Sequence, residues 1–220
     1  MHIAILTFDE FNELDSLIAL GILRLASRTD WRVSIASPTA RVTSMNGIVM
    51  ESQATLQEAC EADAVIVGSG LATRRIVDDP DLLSRLKFDP ERQLVGAQCS
   101  GALVLARLGL LNGVPACTDL TTKPWVQKAG IETLNQPFFA KGNIATAGGC
   151  LGSQYLAAWI IARLASIEAA ERAIHYVAPV GEKEQYVSRA MNNIRPYLPK
   201  IPENITATEA LKAVSNANSP

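Results

Sequence analysis

The sequence predicts an α/β fold, with a mainly parallel central sheet and helices on both of its faces. Two observations carry that expectation. Short, wholly apolar runs recur along the chain, and segments with a helical period alternate with them. Strand–helix alternation builds right-handed crossovers, and these place helices on both sides of a parallel sheet. With 220 residues and 48% hydrophobic content, the chain is long and apolar enough for one packed core.

The elements follow in order. His2–Phe8 reads as a first strand. Its MHIAILTF start has no positively charged region ahead of it, so it is not a signal peptide. Leu14–Arg28 has apolar residues at 14, 17, 18, 22 and 25, a helix period. Trp31–Ser37 is the next strand. Arg41–Met50 reads as a small hairpin turned by Asn46-Gly47, the pair favoured in type I′ turns. Ala64–Gly68 is wholly apolar, as a buried parallel strand should be. Asp79-Pro80 opens a helix to about Leu86.

Leu94–Ala97 is a strand, and Ser100–Leu108 a helix ended by Gly109. Ala116–Thr118 and Ile144–Ala147 are expected as further short strands. Gly152–Ala165, Ile167–Val177 and Glu184–Ile194 are expected helices. One domain then covers residues 1–195. From Pro196 to 220 the chain is expected to be an extended arm with a loosely ordered end.

A formal net charge of -2 and no long basic run argue against a nucleic-acid surface. The most apolar late segment, Tyr155–Ala165, carries Arg163 and is too short to cross a bilayer. Cys60, Cys99, Cys117 and Cys150 form no C-x-x-C pair and match no zinc spacing. The expectation is a soluble, cytoplasmic protein with reduced thiols, no metal and no cofactor.

One stretch points to chemistry: VGAQCSGALVLARLGLLNG, residues 95–113. Cys99 falls between an expected strand and an expected helix. That places its sulfur at the carboxyl edge of the sheet and at a helix N-terminus, where thiol pKa values fall. Gly96 and Gly101 suit a tight strand–turn–helix connection of the nucleophile-elbow kind. A buried structural cysteine is the competing reading. The acidic stretch Phe8–Asp15 lies at the same edge. Asp15 could exchange protons with the thiol or merely cap a helix; Asp9 and Glu10 read as solvated loop charges. Gly68-Ser-Gly70 ends the middle strand and could offer backbone N–H groups to an oxyanion, or be only a turn. Cys117 and Cys150 fall near strand ends and could line the same region, with core packing as the default.

These places together resemble the ThiJ/PfpI superfamily, related to the class I glutamine amidotransferases. The likeness covers about residues 1–180. It rests on the Cys99 elbow with its Gly-Ala-Leu-Val-Leu-Ala continuation, on Phe8-x-x-Phe-x-x-Leu-Asp15, and on Ala147-Gly-Gly149 leading into a long apolar helix. Within the superfamily the chain is most similar to the isocyanide hydratase branch, and to the sensor halves of AraC-type regulators.

The resemblance implies a flavodoxin-like three-layer sandwich, a homodimer, a small-molecule substrate and no cofactor. It implies Cys99 as nucleophile, Asp15 as its acid partner with Glu13 as second choice, and Gly70 and the Ser100 N–H at the oxyanion. Three departures stand out. Ser100 occupies the place where the protease branch has histidine. Asp119 stands where many members carry a histidine, and Gly68-Ser-Gly70 replaces the usual Pro-Gly-Gly. With only His2 and His175 present, a Cys–His mechanism has no evident base.

Two functions follow from the resemblance. One is a cysteine-dependent hydratase of small electrophilic compounds, isocyanides foremost, with Asp119 near the substrate. The other is a non-enzymatic sensor whose low-pKa cysteine is oxidised.

Overall fold

Side-chain alternation along the central strands divides the core in two. In the computed structural model, which describes residues 1–26 and 31–199, Ile3 and Ile5 of β1 (His2–Leu6) point into one apolar cluster. Ala4 and Leu6 point into another on the opposite face. β6 (Ala64–Val67) repeats the pattern, with Ala64 and Ile66 on the first face and Val65 and Val67 on the second. A strand buried on both faces has no polar side, so it reads as a continuous apolar run.

The elements between β1 and β6 are α1 (Glu13–Leu25), β2 (Arg32–Ser37), β3 (Arg41–Thr43), β4 (Val49–Glu51), β5 (Ala54–Thr55) and α2 (Leu56–Glu61). After β6 come α3 (Thr73–Val77), α4 (Pro80–Arg85), β7 (Leu94–Gln98), α5 (Gly101–Arg107) and α6 (Lys123–Lys128). The chain continues through β8 (Phe138–Lys141), β9 (Ile144–Ala147), α7 (Ser153–Leu164), α8 (Ile167–Val177) and α9 (Lys183–Ile194). The main sheet has seven strands in the order β5-β2-β1-β6-β7-β9-β8. Every neighbouring pair is parallel except β8–β9. This is the flavodoxin-like α/β sandwich that the sequence led us to expect.

The core explains the most apolar segment of the sequence. Tyr155–Ile161 of α7 is buried throughout, against α1 on one side and α8 on the other. Gly96 of β7 is what lets α7 lie close, since a Cβ there would press on Leu156 at 3.2 Å. No helix among the described residues is long and apolar enough to cross a membrane.

Two local expectations, the hairpin turn and the Ala116–Thr118 strand, are corrected. The hairpin pairs β3 with β4, but its turn is not type I′. Only Gly47 has positive φ, and Gly47 N–H donates to Ser44 O while Ser44 N–H donates to Ile48 O. A five-residue loop with one left-handed glycine results. Ala116–Thr118 forms no strand, only a bridge from Ala116 to Thr133, because the Cys117 N–H is taken by Thr146 Oγ1. The first helix begins at Glu13, and its expected end at Arg28 lies outside the described residues. Of the expected C-terminal arm, the described part opens in a 3-10 turn, Arg195–Tyr197, with Tyr197 edge-on to Phe138 and Phe139. Residues 200–220 lie outside the described residues.

β1 pairs with β2 on one side and β6 on the other. Chain connections leave in opposite directions there, and open sheets of this kind form their crevice beyond the strand ends at that point.

Candidate active site

Four strand ends converge at that crevice. The β1 end leads through Phe8–Asn12 into α1 and delivers Asp15. The β6 end delivers Ser69 and Gly70, the β7 end Cys99, and the β9 end Cys150.

Cys99 sits in the left-handed region, with φ 45°. For a residue with a Cβ that conformation costs roughly 1–2 kcal/mol, so the surroundings must hold it. Cys99 N–H donates to Ala147 O at 2.8 Å, and Thr118 Oγ1 donates to Cys99 O at 2.8 Å. Gln98 Nε2 donates to Cys99 Sγ at 3.4 Å and to Gly149 O at 2.8 Å, while its Oε1 is buried without a partner. The turn therefore aims the sulfur away from the strand, which is the mechanical point of an elbow.

Gly101 makes the elbow possible. A Cβ there would drive into the carbonyl oxygen of Val67 on the neighbouring strand. Backbone cannot yield as a side chain can, so Gly101→Ala is expected to destabilise the fold by about 3 kcal/mol, a Tm loss of roughly 10 °C. Differential scanning calorimetry checks this. A Tm within 2 °C of the parent would mean that the elbow is looser than it looks.

Asp15 is 1% exposed. The cap of α1 is Asn12, whose side chain accepts from Leu14 N–H, so capping is not the work of Asp15. Its carboxylate instead accepts from Ser69 Oγ at 2.5 Å and from Ser16 Oγ at 3.3 Å. The Cys99 thiol is a third donor to it. Burial pushes the Asp15 carboxyl up to about 6, against the pull of those three donors, with the Asp119 charge adding to the rise. The Cys99 thiol is also pushed far above its ordinary value, first by burial and then by the charges of Asp15 and Asp119. This corrects the sequence expectation of a thiolate made acidic by a helix N-terminus. α5 is only seven residues long, and its dipole does not offset desolvation among carboxylates. The resting pair holds its proton on sulfur, with the carboxylate beside it as base.

The remaining site residues sort themselves. Glu13 accepts from Asn46 Nδ2 at 2.6 Å, in the loop joining β3 to β4. Gly70 N–H donates to Ser100 Oγ at 3.1 Å, and Thr73 Oγ1 lies 2.7 Å from the same hydroxyl. Ser100 thus ties the elbow to the Gly70 turn, and that N–H is engaged within the chain. A Cβ on Gly70 would collide with the Glu10 carbonyl, which explains the glycine.

Asp119 is half-buried and accepts from Thr122 N–H at 2.9 Å. It lines a cleft of about 450 Å³ with Thr118, Lys123, Pro137 and Gly149. Asp9 and Glu10 are not idle. Asp9 accepts from Thr43 N–H, and Glu10 pairs with Arg75 at 2.6 Å. His2 contacts Ser34 at the amino end of the sheet, and His175 faces Glu184 on the far helices. Neither reaches Cys99 Sγ.

Sequence reasoning gave no role to Ser69, Gln98 or Asn12, and it set Cys150 near the same region only as an alternative to core packing. Asn12 Nδ2 donates to Cys150 Sγ at 3.2 Å. The ligand atoms of Asp15, Cys99 and Cys150 all lie within 4.8 Å of one another. Among the described residues this is the grouping with metal-ligand chemistry. A soft ion there would occupy the very sulfur that the elbow presents. The signal was the Gly148-Gly149 pair, which ends the strand beside β7 and turns the chain back toward Cys99.

The DJ-1/PfpI family model matches residues 1–163. The chain belongs to the DJ-1/PfpI family. Isonitrile hydratase of Pseudomonas putida is 24% identical to it over 173 residues, which is 78% of this chain and 75% of that protein. Among solved structures, oxidized DJ-1 of Toxoplasma gondii superposes with a TM-score of 0.69 at 20% identity, covering 80% of this chain and 97% of that one. A cysteine-to-alanine variant of a DJ-1 superfamily protein from Salmonella typhimurium gives 0.68 at 24% identity, covering 81% and 98%. DJ-1β of Drosophila melanogaster gives 0.69 at 19%, covering 80% and 96%. In this DJ-1/PfpI chain the residue after the elbow cysteine is Ser100, and its hydroxyl is already engaged by Gly70 and Thr73.

Proposed function

We propose that the protein is a cofactor-free, cysteine-dependent hydratase, a lyase that turns isocyanides into N-substituted formamides. The observation that carries this reading is the buried thiol–carboxyl pair of Cys99 and Asp15 at a strained elbow, with no histidine near. The likeness to an isonitrile hydratase supports it.

Cys99 transfers its proton to Asp15 as the sulfur attacks the terminal carbon of R–N≡C. Asp15 returns that proton to the carbon, leaving a thioimidate, R–N=CH–S–Cys99. Water adds to the same carbon while Asp15 accepts its proton. The carbon–sulfur bond then breaks, the nitrogen and the thiol recover their protons, and R–NH–CHO departs. Splitting one hard addition into two steps is the ordinary benefit of covalent catalysis, and one carboxyl serves as acid and base in turn.

The chemistry needs Asp15 ionised in the resting pair. Turnover (kcat/KM) is therefore expected to fall as pH drops through about 6. The Asp119 charge helps to hold that value up, so Asp119→Asn should move the acid limb to lower pH while keeping the Thr122 N–H contact. An unmoved or raised limb would mean that Asp119 lies electrically outside the site. A panel of alkyl and aryl isocyanides, followed by formamide formation with methylglyoxal as control, tests the activity itself. Turnover of methylglyoxal without turnover of any isocyanide defeats the proposal.

A second copy of the chain belongs to this reading. Leu14, Met45 and Leu151 are 52%, 40% and 63% exposed, and each adjoins an element that builds the crevice. The sensor alternative asks for a readily ionised Cys99, and the upward push on that thiol weighs against it.

A further inference from the structure

A second sulfur stands beside the nucleophile, and the sheet puts it there. Cys99 follows β7 and Cys150 follows β9, neighbouring parallel strands with Gln98 opposite Ala147. Cys99 falls one position past that pair and Cys150 three past it, so both cysteines leave the same end of the sheet. The two sulfurs already lie within 4.8 Å of each other. Gly149, with φ 78° and open space around its α-carbon, precedes Cys150 and leaves that turn room to adjust.

The pair is asymmetric. Cys99 is buried, while Cys150 is partly exposed and accepts an N–H from Asn12. A solvent-borne oxidant meets Cys150 first. The group that must then react with it, Cys99, has a carboxylate at hand to take its proton.

We propose that Cys99 and Cys150 close a reversible intrachain disulfide when the protein meets a hydroperoxide. Cys150 sulfur attacks the peroxide, an S–O bond forms, the O–O bond breaks, and the departing oxygen takes the thiol proton and leaves as alcohol or water. The Cys150 sulfenic acid is then attacked by Cys99 sulfur, whose proton passes to Asp15. The S–S bond forms, the S–O bond breaks, and the departing hydroxide takes that proton as water. Two thiols lose two electrons in all, and the peroxide gains them. An external dithiol reverses the reaction by exchange. The consequence, loss of hydratase turnover, rests on the function proposed above; the disulfide itself rests on the two sulfurs.

The test treats the protein with stoichiometric hydrogen peroxide, quenches in acid, alkylates, and maps peptides without reductant. The expected product joins the peptides holding Cys99 and Cys150, free thiols fall from four to two per chain, and dithiothreitol restores four. Cys150→Ser should give no such linkage. Four free thiols after treatment, a chain-to-chain disulfide, or Cys99 recovered as sulfinic acid beside free Cys150 would each overturn the proposal, and all are read on the wild-type protein. Isocyanide turnover is followed alongside. Disulfide formation in a protein with no turnover before oxidation defeats the hydratase reading alone, and turnover without any disulfide defeats this one alone.

Discussion

Replacing Cys99 with alanine is expected to reduce isocyanide turnover by roughly 10⁴-fold or more, the usual consequence of deleting a covalent nucleophile. The loss should not come from misfolding. Cys99 adopts φ 45° in the wild-type protein, and alanine meets the same steric cost there, so the elbow gains and loses little. The contacts that fix the turn are made by the backbone N–H and C=O of residue 99, which alanine keeps. What disappears is one sulfur, together with its Gln98 and Asp15 contacts. A Tm within about 4 °C of the parent is expected, because a buried-atom deletion of this size costs on the order of 1 kcal/mol. Formamide formation measured under saturating enzyme separates the two effects. A variant that keeps its fold and a tenth of its turnover would place the nucleophile elsewhere, with Cys150 the first alternative.

The fold was legible because the central strands are buried on both faces. Ala64–Val67 and Leu94–Ala97 have no polar residue, so they stand out as apolar blocks, and α7 stands out as a long buried run. β8 escaped notice because it is a four-residue edge strand just after Pro137, where a proline usually argues against pairing. α3 and α6, five and six residues long, are too short to show a period.

At the site, what the chain order displays was readable: Cys99 between a strand and a helix, Asp15 after the first strand. Its electrostatics were not. The sequence shows a helix start beside a thiol, which argues for an acidic cysteine. Only folding reveals that the same sulfur is buried beside the charges of Asp15 and Asp119. Nor could spacing show that Ser69 and Cys150, 54 and 135 residues beyond Asp15, would meet that carboxylate; they follow strands whose adjacency is settled by sheet order.

Asp15→Asn should separate function from stability. The carboxyl titrates at about 6 in the folded protein against an ordinary 3.8, so the fold favours its neutral form. Between those values the folded protein binds more protons than the unfolded chain, and stability must fall as pH rises through that window. A shift of about two units corresponds to an upper limit of about 3 kcal/mol, fully felt above pH 6 and absent below about 4. Asparagine carries no charge at any of these pH values and keeps an oxygen able to accept from Ser69 or Ser16. The variant should therefore be more stable than the wild type at pH 7.5 by about 2 kcal/mol, and the two should converge near pH 4. Urea unfolding at several pH values measures the difference, in which the titration of all other groups cancels. Turnover should drop by roughly 10²–10⁴-fold, the share usually carried by a positioned acid–base group. A stability difference that stays flat from pH 4 to 7.5 would mean an ordinary surface-like carboxyl, and the thiol would then have lost the partner on which its reactivity depends.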